Sequence, residues 1–525
     1  MSKRSGRPNR EAFKAARKAR KKAQRQLRQR QQAEGLSAPV RPTLPNQKCP
    51  YETVEEERQA RGDAVCQQVK VYRAMLPVLL TRLSKIAEPR NPRKLRHKLT
   101  VLMIYGILCF AFQMSSRREA NREMTRPMFE DNLRRLFPDL DELPHHDTLA
   151  RLLARIEVNG IEQAHLDMIR QLIRSKKFRR YLIGSCYPIA IDGTQKLTRA
   201  QCWDAACLER KVGGKKDKQE AGQPQEPQKQ YYVYVVEANL AFQNGMVIPL
   251  LSEVLTDLEG DQPKDKQDCE QRAFQRLTQR IKECFSHLPI LVLLDGLYPN
   301  GPMMELCRQN NWDFMIVLQD TSLSTVWEEI QGRQQLEHQK LENPKVWAQN
   351  WGGRRQRFQW FNDIEYVYAD PVSHRPKKHQ LHVVICEESW EEIAPESTAV
   401  VQKTSRHVWI SAEPLHRGNV HSRCNLGARH RWGIESGLLV EKCHGYQYEH
   451  CFSYDWEVMR GYHYLMRLGH ALNVLARYSA GLAKYVRQLG VRGLIDFVRQ
   501  TIAGPWLNSE QIQQIATAPY QIRLE

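Results

Sequence analysis

Three acidic residues, Asp192, Asp295 and Glu435, stand in settings that could bring carboxylates together. Asp192 follows a short β-branched run, CYPIAIDGTQ, and Asp295 a continuous apolar run, LPILVLLDGLY. Each run reads as a strand closed by an Asp-Gly pair. Taken singly, Asp-Gly after a strand signals only a turn. Two such strands side by side at a sheet centre would hold two carboxylates close together, where like charges repel unless a cation sits between them. Hard divalent ions such as Mg²⁺ take carboxylate oxygens readily. A third carboxylate, from a helix packed over the sheet, would complete a two-metal site. Such a site activates a water or a 3′-hydroxyl and stabilises the leaving oxygen of a phosphodiester.

The segment HRWGIESGLLVEK offers that third carboxylate. A helix advances roughly 100° per residue, so with Arg431 as zero, Glu435 lies near ~40° and Lys442 near ~20°. The three project from one stripe, with Leu438 beside it and Leu439 on its flank, where both can pack. Arg and Glu at this spacing also attract each other on any solvated helix. The stripe gains a chemical purpose only if Glu435 faces metal ions while the two cations hold phosphates.

The elements that would position these residues read β-β-β-α-β-α-β from about residue 184 to 320. Three strands (CYPIAIDGTQ, YYVYVVEANLAF, MVIPLLSEVL) join as hairpins. Strands LPILVLLDGLY and WDFMIVLQD then alternate with helices KQDCEQRAFQRLTQRIKECF and GPMMELCRQNN. The loop ERKVGGKKDKQEAGQPQEPQKQ is polar and of low complexity, the composition of a mobile segment. Residues 321–426 form a β-rich insertion containing Trp327, Trp347, Trp351, Trp360, Trp390 and Trp409. The core resumes over 427–480, and 481–525 is a C-terminal helical segment. Upstream, 51–183 carries repeated 3.6-residue periodicity, with Asp147 as a candidate cap for DTLARLLARIEV, and suits a helical DNA-binding domain as well as a plain scaffold.

Net charge is +20 over 525 residues, and residues 1–34 hold 13 Lys or Arg against two acids. That tail has almost no apolar face, so it is expected to be disordered alone and to order on a phosphate backbone. Four prolines between Pro39 and Pro50 mark a linker, so 1–50 is tail and linker. A basic body favours a polyanion. The longest apolar run, Leu99–Phe112, is shorter than the roughly 18–20 residues of a membrane span and reads as a buried helix. No secretory signal is visible, and 13 scattered cysteines suit reduced thiols in a cytoplasmic protein. Cys443, His444, His450 and Cys451, with Cys424 and His430, or Cys186 with Cys202 and Cys207, could be drawn as zinc sites, although neither spacing is that of a finger.

The order Asp192, Asp295, Glu435 resembles the DDE transposases of bacterial insertion sequences. The helix is similar to their signature Y-x-x-R-x-x-x-E-x-x-x-x-x-x-K. Arg431, Glu435 and Lys442 fit it, and Ala428 stands in the tyrosine place, which Tyr446 or Tyr448 would have to fill. The resemblance implies an α/β fold: a ribonuclease H-like mixed sheet with a β-rich insertion, plus a helical N-terminal domain. It further implies Mg²⁺, with Mn²⁺ able to substitute, held by Asp192, Asp295 and Glu435. Double-stranded DNA would be the substrate, gripped by Arg431 and Lys442, and a homodimer would form on paired element ends. In similar transposases an insertion tryptophan stacks on an extruded base; Trp347, Trp351 and Trp360 are the candidates here. Two other readings remain: a transposase-derived DNA-binding regulator that no longer cuts, and a general metal-dependent nuclease on the same core.

Overall fold

A computed structural model describes residues 10–37, 44, 46, 48–140, 142–212, 228–256, 266–339, 345–371, 373–510, 512–513 and 520–525. In chain order the elements are α1 (Arg10–Ala33), α2 (Val54–Leu83), α3 (Leu99–Ala111), α4 (Arg117–Met124), α5 (Pro127–Leu136), α6 (His146–Leu153), α7 (Asn159–Arg174), β1 (Tyr187–Arg199), β2 (Leu208–Val212), β3 (Gln228–Ala241), β4 (Val247–Val254) and α8 (Lys266–Cys284). There follow β5 (Ile290–Leu294), α9 (Gly301–Gln309), β6 (Asp313–Val317), α10 (Ser324–His338), β7 (Val346–Trp351), β8 (Arg354–Ala369), β9 (Pro376–Ile393), β10 (Val400–Ser411), α11 (Trp432–Cys443), α12 (Trp456–Arg477) and α13 (Ala483–Ala503). The chain is thus mixed α/β with a helical N-terminal region. Among the described residues no helix is long and apolar enough to cross a membrane.

The chain forms two compact units. One comprises Met1–Pro42 with Val292–Ala428, the other Thr43–Leu291 with Arg429–Glu525. In the second unit α3 is buried almost all round and packs along α12. Glycine permits the close approach: a Cβ on Gly106 would meet Leu465 at 2.7 Å, and one on Gly469 would meet the Ile107 carbonyl at 3.1 Å. The run that might suggest a membrane span is therefore the core of a helical layer. Strand β3 pairs antiparallel with β1 along one edge and with β2, then β4, along the other. Helices α11 and α12 pack on this sheet, and α8 packs on β3 and β4.

Several sequence expectations need correction. Strand β1 does not end at Asp192; it continues to Arg199, because Asp192 and Gly193 pair with Glu237 and Val236 instead of turning. The supposed loop after it opens with β2, since Glu209–Val212 add to the free edge of β3, while 213–227 lie outside the described residues. Helix α6 is capped by His145, whose Nδ1 accepts from the Asp147 N–H at 3.3 Å; Asp147 itself lies in the first turn and bonds Arg117.

In the first unit β6, β10, β9, β8 and β7 pair in that spatial order, all antiparallel. The insertion also contains α10, which the tryptophan-rich reading overlooked. The basic tail is not a free coil: α1 packs on β9, with Leu27 buried, Arg30 paired with Glu391, and the Glu34 carboxylate accepting from Arg355 at 2.6 Å. Its good helix formers needed only that anchorage. Residues 1–9, and most of the proline linker, lie outside the described residues.

His165 of α7 gives a test of the helical layer. Burial, then the charge of Arg467, pulls its imidazole down to about 3 from 6.5. Between those values the unfolded chain binds a proton that the folded chain does not, so stability is intact above pH 6.5 and is lost as pH falls through that window. His165→Gln should lose less thermal stability than wild type on acidification to about pH 4, a difference on the order of a few kcal/mol. Parallel melting curves would refute the assignment.

Candidate functional site

Within the second unit, β1 and α11 bring two of the three carboxylates to a single guanidinium. Asp192 is directly opposite Glu237 in the β1–β3 ladder, so both side chains leave the same face of the sheet, the face on which α11 packs. Arg431 Nη1 lies 3.8 Å from Asp192 Oδ2, and its Nη2 donates to Glu435 Oε1 at 2.8 Å. Arg431 is only 5% exposed, yet its Nε and Nη1 have no hydrogen-bond partner. A buried guanidinium with two idle nitrogens is costly unless strong negative charge faces it.

The uniform 100° stripe is modified here. Ser422–Gly427 form a π-helical turn and Ala428–Arg431 a 3₁₀ turn, so Arg431 precedes the α-helix proper. The contact to Glu435 survives because both residues sit at the joint. Lys442, in the last turn, donates to the Gln195 carbonyl at 3.1 Å and pairs with Glu449 at 2.9 Å. Helix α11 therefore runs alongside β1, touching it near Asp192 and again at Gln195. Leu438 packs inward, but Leu439 is 55% exposed, so the expected packing on that flank is absent.

Beneath α11 lies a buried ionic cluster that charge patterning did not reveal. Glu441 accepts from Arg467 at 3.3 Å and lies 2.7 Å from His470 Nδ1. Burial raises the Glu441 carboxyl, and Arg467 with His470 outweighs it, leaving the group below the usual carboxylate range. Arg467 also reaches Glu237 at 3.0 Å, which takes a hydrogen bond from the Tyr448 hydroxyl at 2.7 Å. Lys196 is the extra residue of a β-bulge between Gln195 and Leu197. Its Nζ donates to the Tyr448 carbonyl at 3.0 Å and lies 3.2 Å from His463 Nδ1; burial brings it down to about 8. A bulge re-aims a side chain in this way.

Tyr448, with Tyr446, is committed to this interior. Tyr446 accepts from Asn473 at 2.8 Å, and both tyrosines are at most 2% exposed. Neither is placed to replace the signature tyrosine, which corrects that expectation. The sequence reading missed Trp432, inside the signature segment itself: it is 60% exposed, with the Arg431 guanidinium 4.6 Å from its ring. An exposed tryptophan beside a carboxylate pair was legible as a residue type, but its exposure depends on how α11 packs, which sequence alone does not give.

In the first unit Asp295 follows β5 directly and does begin a turn, its Oδ1 accepting from the Leu297 N–H at 2.9 Å. Trp347 stacks on Phe358 at 5.9 Å and meets His421 edge-on, as does Trp351 at 6.2 Å. Trp360 is 7% exposed and belongs to the core of the sheet. Among the described residues the cysteines and histidines drawn as zinc sites do not converge; the only group of His, Cys or carboxylate side chains that does is His145, His146 and Asp147. Arg117 also bonds Asp147 there.

Residues 80–169, from the end of α2 through most of α7, match the family model DDE_Tnp_1-associated. The match is confined to this helical stretch and does not reach Asp192, Asp295 or Glu435. No curated protein matches the chain.

Two glutamates on α11 can be separated by stability alone. Glu435→Gln keeps an oxygen acceptor for buried Arg431 and leaves Asp192 near it, so it should cost only about 1 kcal/mol. Glu441→Gln leaves Arg467 buried without its full partner and should cost about 3 kcal/mol or more. Urea titrations decide it; a larger loss for Glu435→Gln would make the Arg431 pair a structural device.

Proposed function

We propose that this protein is a DDE transposase that binds the inverted-repeat ends of an insertion sequence, cuts there, and joins the freed 3′-hydroxyl to target DNA. The observation that carries the reading is the Asp192–Arg431–Glu435 cluster. Two carboxylates from separate elements meet at one buried cation, an arrangement that selects positive charge. Oxygen-only donors of this kind suit Mg²⁺, with Mn²⁺ as substitute. When bound, such ions activate the attacking oxygen and stabilise the leaving one.

The chain's own residues supply the rest. Asp192 and Glu435 would hold the ions, and Arg431, bonded to Glu435 and beside Asp192, would keep their carboxylates aligned. Asp295 is proposed as the third ligand. Its support is its place as the second acid of the ordered trio Asp192, Asp295, Glu435. Lys442 exchanges the exposed Glu449 for a phosphate oxygen. Trp347 and Trp351, at the rim of their sheet, are the candidates for stacking on a base; Trp432 is the stronger one by exposure.

Asp192→Ala, Asp295→Ala and Glu435→Ala should each abolish Mg²⁺-dependent cleavage of element-end DNA while leaving binding largely intact in gel-shift assays. Normal cutting by any one of them would remove that residue from the site. Lys442→Ala should alter stability by only about 0–1 kcal/mol but slow cleavage roughly 100-fold, as expected for a displaced scissile phosphate. Equal and small effects would return Lys442 to the role of a surface ion pair.

A further inference from the structure

The second unit carries a cluster of cations that the proposed chemistry does not use. After α7 the chain runs through Lys176, Lys177, Arg179 and Arg180 before entering β1, and residues 521–524 return beside it. The two segments line an open groove of about 610 Å³ to which Arg523 adds a fifth cation. Lys176, Arg179, Arg180 and Arg523 are exposed. Among the described residues Lys176, Lys177, Arg179 and Arg523 make no ion pair; Arg180 bonds only the Tyr181 hydroxyl and the Leu524 carbonyl.

A bland origin covers part of this. Lysines just past the α7 C-terminus complement its dipole. Lys176 is the left-handed residue there, at φ 57°, with its N–H on the Ile173 carbonyl. Arg179, Arg180 and Arg523 lie beyond the last turn and gain nothing from it. Five like charges around one groove repel each other, and elsewhere in this unit surface arginines such as Arg58, Arg122 and Arg126 have acidic neighbours. Among the described residues none of these five side chains pairs with an acid.

The groove is also held in shape. Ser479 and Leu524 form a β-bridge, Gln243 donates to the Arg180 carbonyl at 3.3 Å, and Asn244 donates to the Glu525 carbonyl at 3.1 Å. The latter two bonds fix it to the β3–β4 turn. From Glu237, opposite Asp192, to Gln243 is six residues of β3 and turn, so this anchor of the groove lies within about 20 Å of that ladder pair.

We infer that this groove is a docking surface for the phosphate backbone of duplex DNA. The identification of DNA as the polyanion rests on the transposase reading; the surface itself does not. The contact is to phosphates, so it sets position along the duplex without reading bases.

The test is the salt dependence of binding to a duplex of roughly 15 base pairs or more, by fluorescence anisotropy. The triple variant Lys176→Ala, Arg179→Ala, Arg523→Ala should lower the log–log slope by about 3, near 0.9 for each lost phosphate contact, and weaken binding at low salt ~10-fold or more. A control lacking Arg58, Arg122 and Arg126 should keep the wild-type slope. The inference is overturned if the groove variant keeps that slope while its circular dichroism melt matches wild type, or if the control falls equally. It is also overturned if the groove instead carries wild type, and not the variant, onto phosphatidylserine vesicles in flotation. Cleavage is scored separately. A wild type that never cuts but shows the groove-dependent slope refutes the transposase reading and leaves the groove; normal cutting with equal slopes refutes the groove alone.

Discussion

Arg467 is the constraint on which the second unit depends. One buried guanidinium, projecting from α12, meets Glu237 of β3 at 3.0 Å and Glu441 of α11 at 3.3 Å. Three elements are thereby fixed to each other by charge, beside apolar contacts such as Val233 and Val235 with Met459. The charges are fully desolvated, so the cluster is stable only when complete; removal of one member leaves the others buried and unpaired. It is also directional in a way that apolar packing is not. Fixing the roll of α11 at Glu441 sets where Glu435 points, about two turns earlier on the same helix.

This division of labour explains why α11 carries both kinds of glutamate. Glu441 is at most 1% exposed and holds the helix down; Glu435 has its carboxylate at the rim. Gly437 lets the helix sit close to the sheet, since a Cβ there would already press on Val247 at 3.2 Å. The rest of the cluster rises from below. Lys196, Tyr448 and His463 fill the space under the helix end with groups that satisfy one another, so the opposite end of α11 is supported without an apolar core.

Much of the architecture was legible because period and composition carry it. Strands β3, β4, β5 and β6 and helices α8 and α9 follow continuous apolar or amphipathic runs that have one reading each. Asp192 and Glu435 were legible as candidates through their neighbours. Other features depend on partners distant in sequence and could not be read locally. Strand β1 passes through an Asp-Gly pair because β3 lies beside it, and α1 is anchored because β9 offers Glu391. The buried charges Glu237, Glu441 and Arg467 look like ordinary surface residues until both elements are in place. At Ala428 the resemblance places a tyrosine, and the alanine there is buried, at 4% exposure.

The bulge in β1 has a consequence at the level of the gene. Ile189 to Gln195 pair with Leu240 to Tyr234, and Leu197 to Arg199 continue with Val233 to Tyr231, so β3 has no gap where β1 has its extra residue. Loss of the single codon for residue 196 would leave every pair in that ladder intact. Loss of any codon from 190 to 195 would shift the pairs on one side of it and turn a row of side chains to the wrong face. The strand needs Lys196 for nothing in its hydrogen bonding. What the fold obtains from the insertion is one amine delivered to the underside of α11, so an in-frame deletion there would remove a chemical group while sparing the sheet.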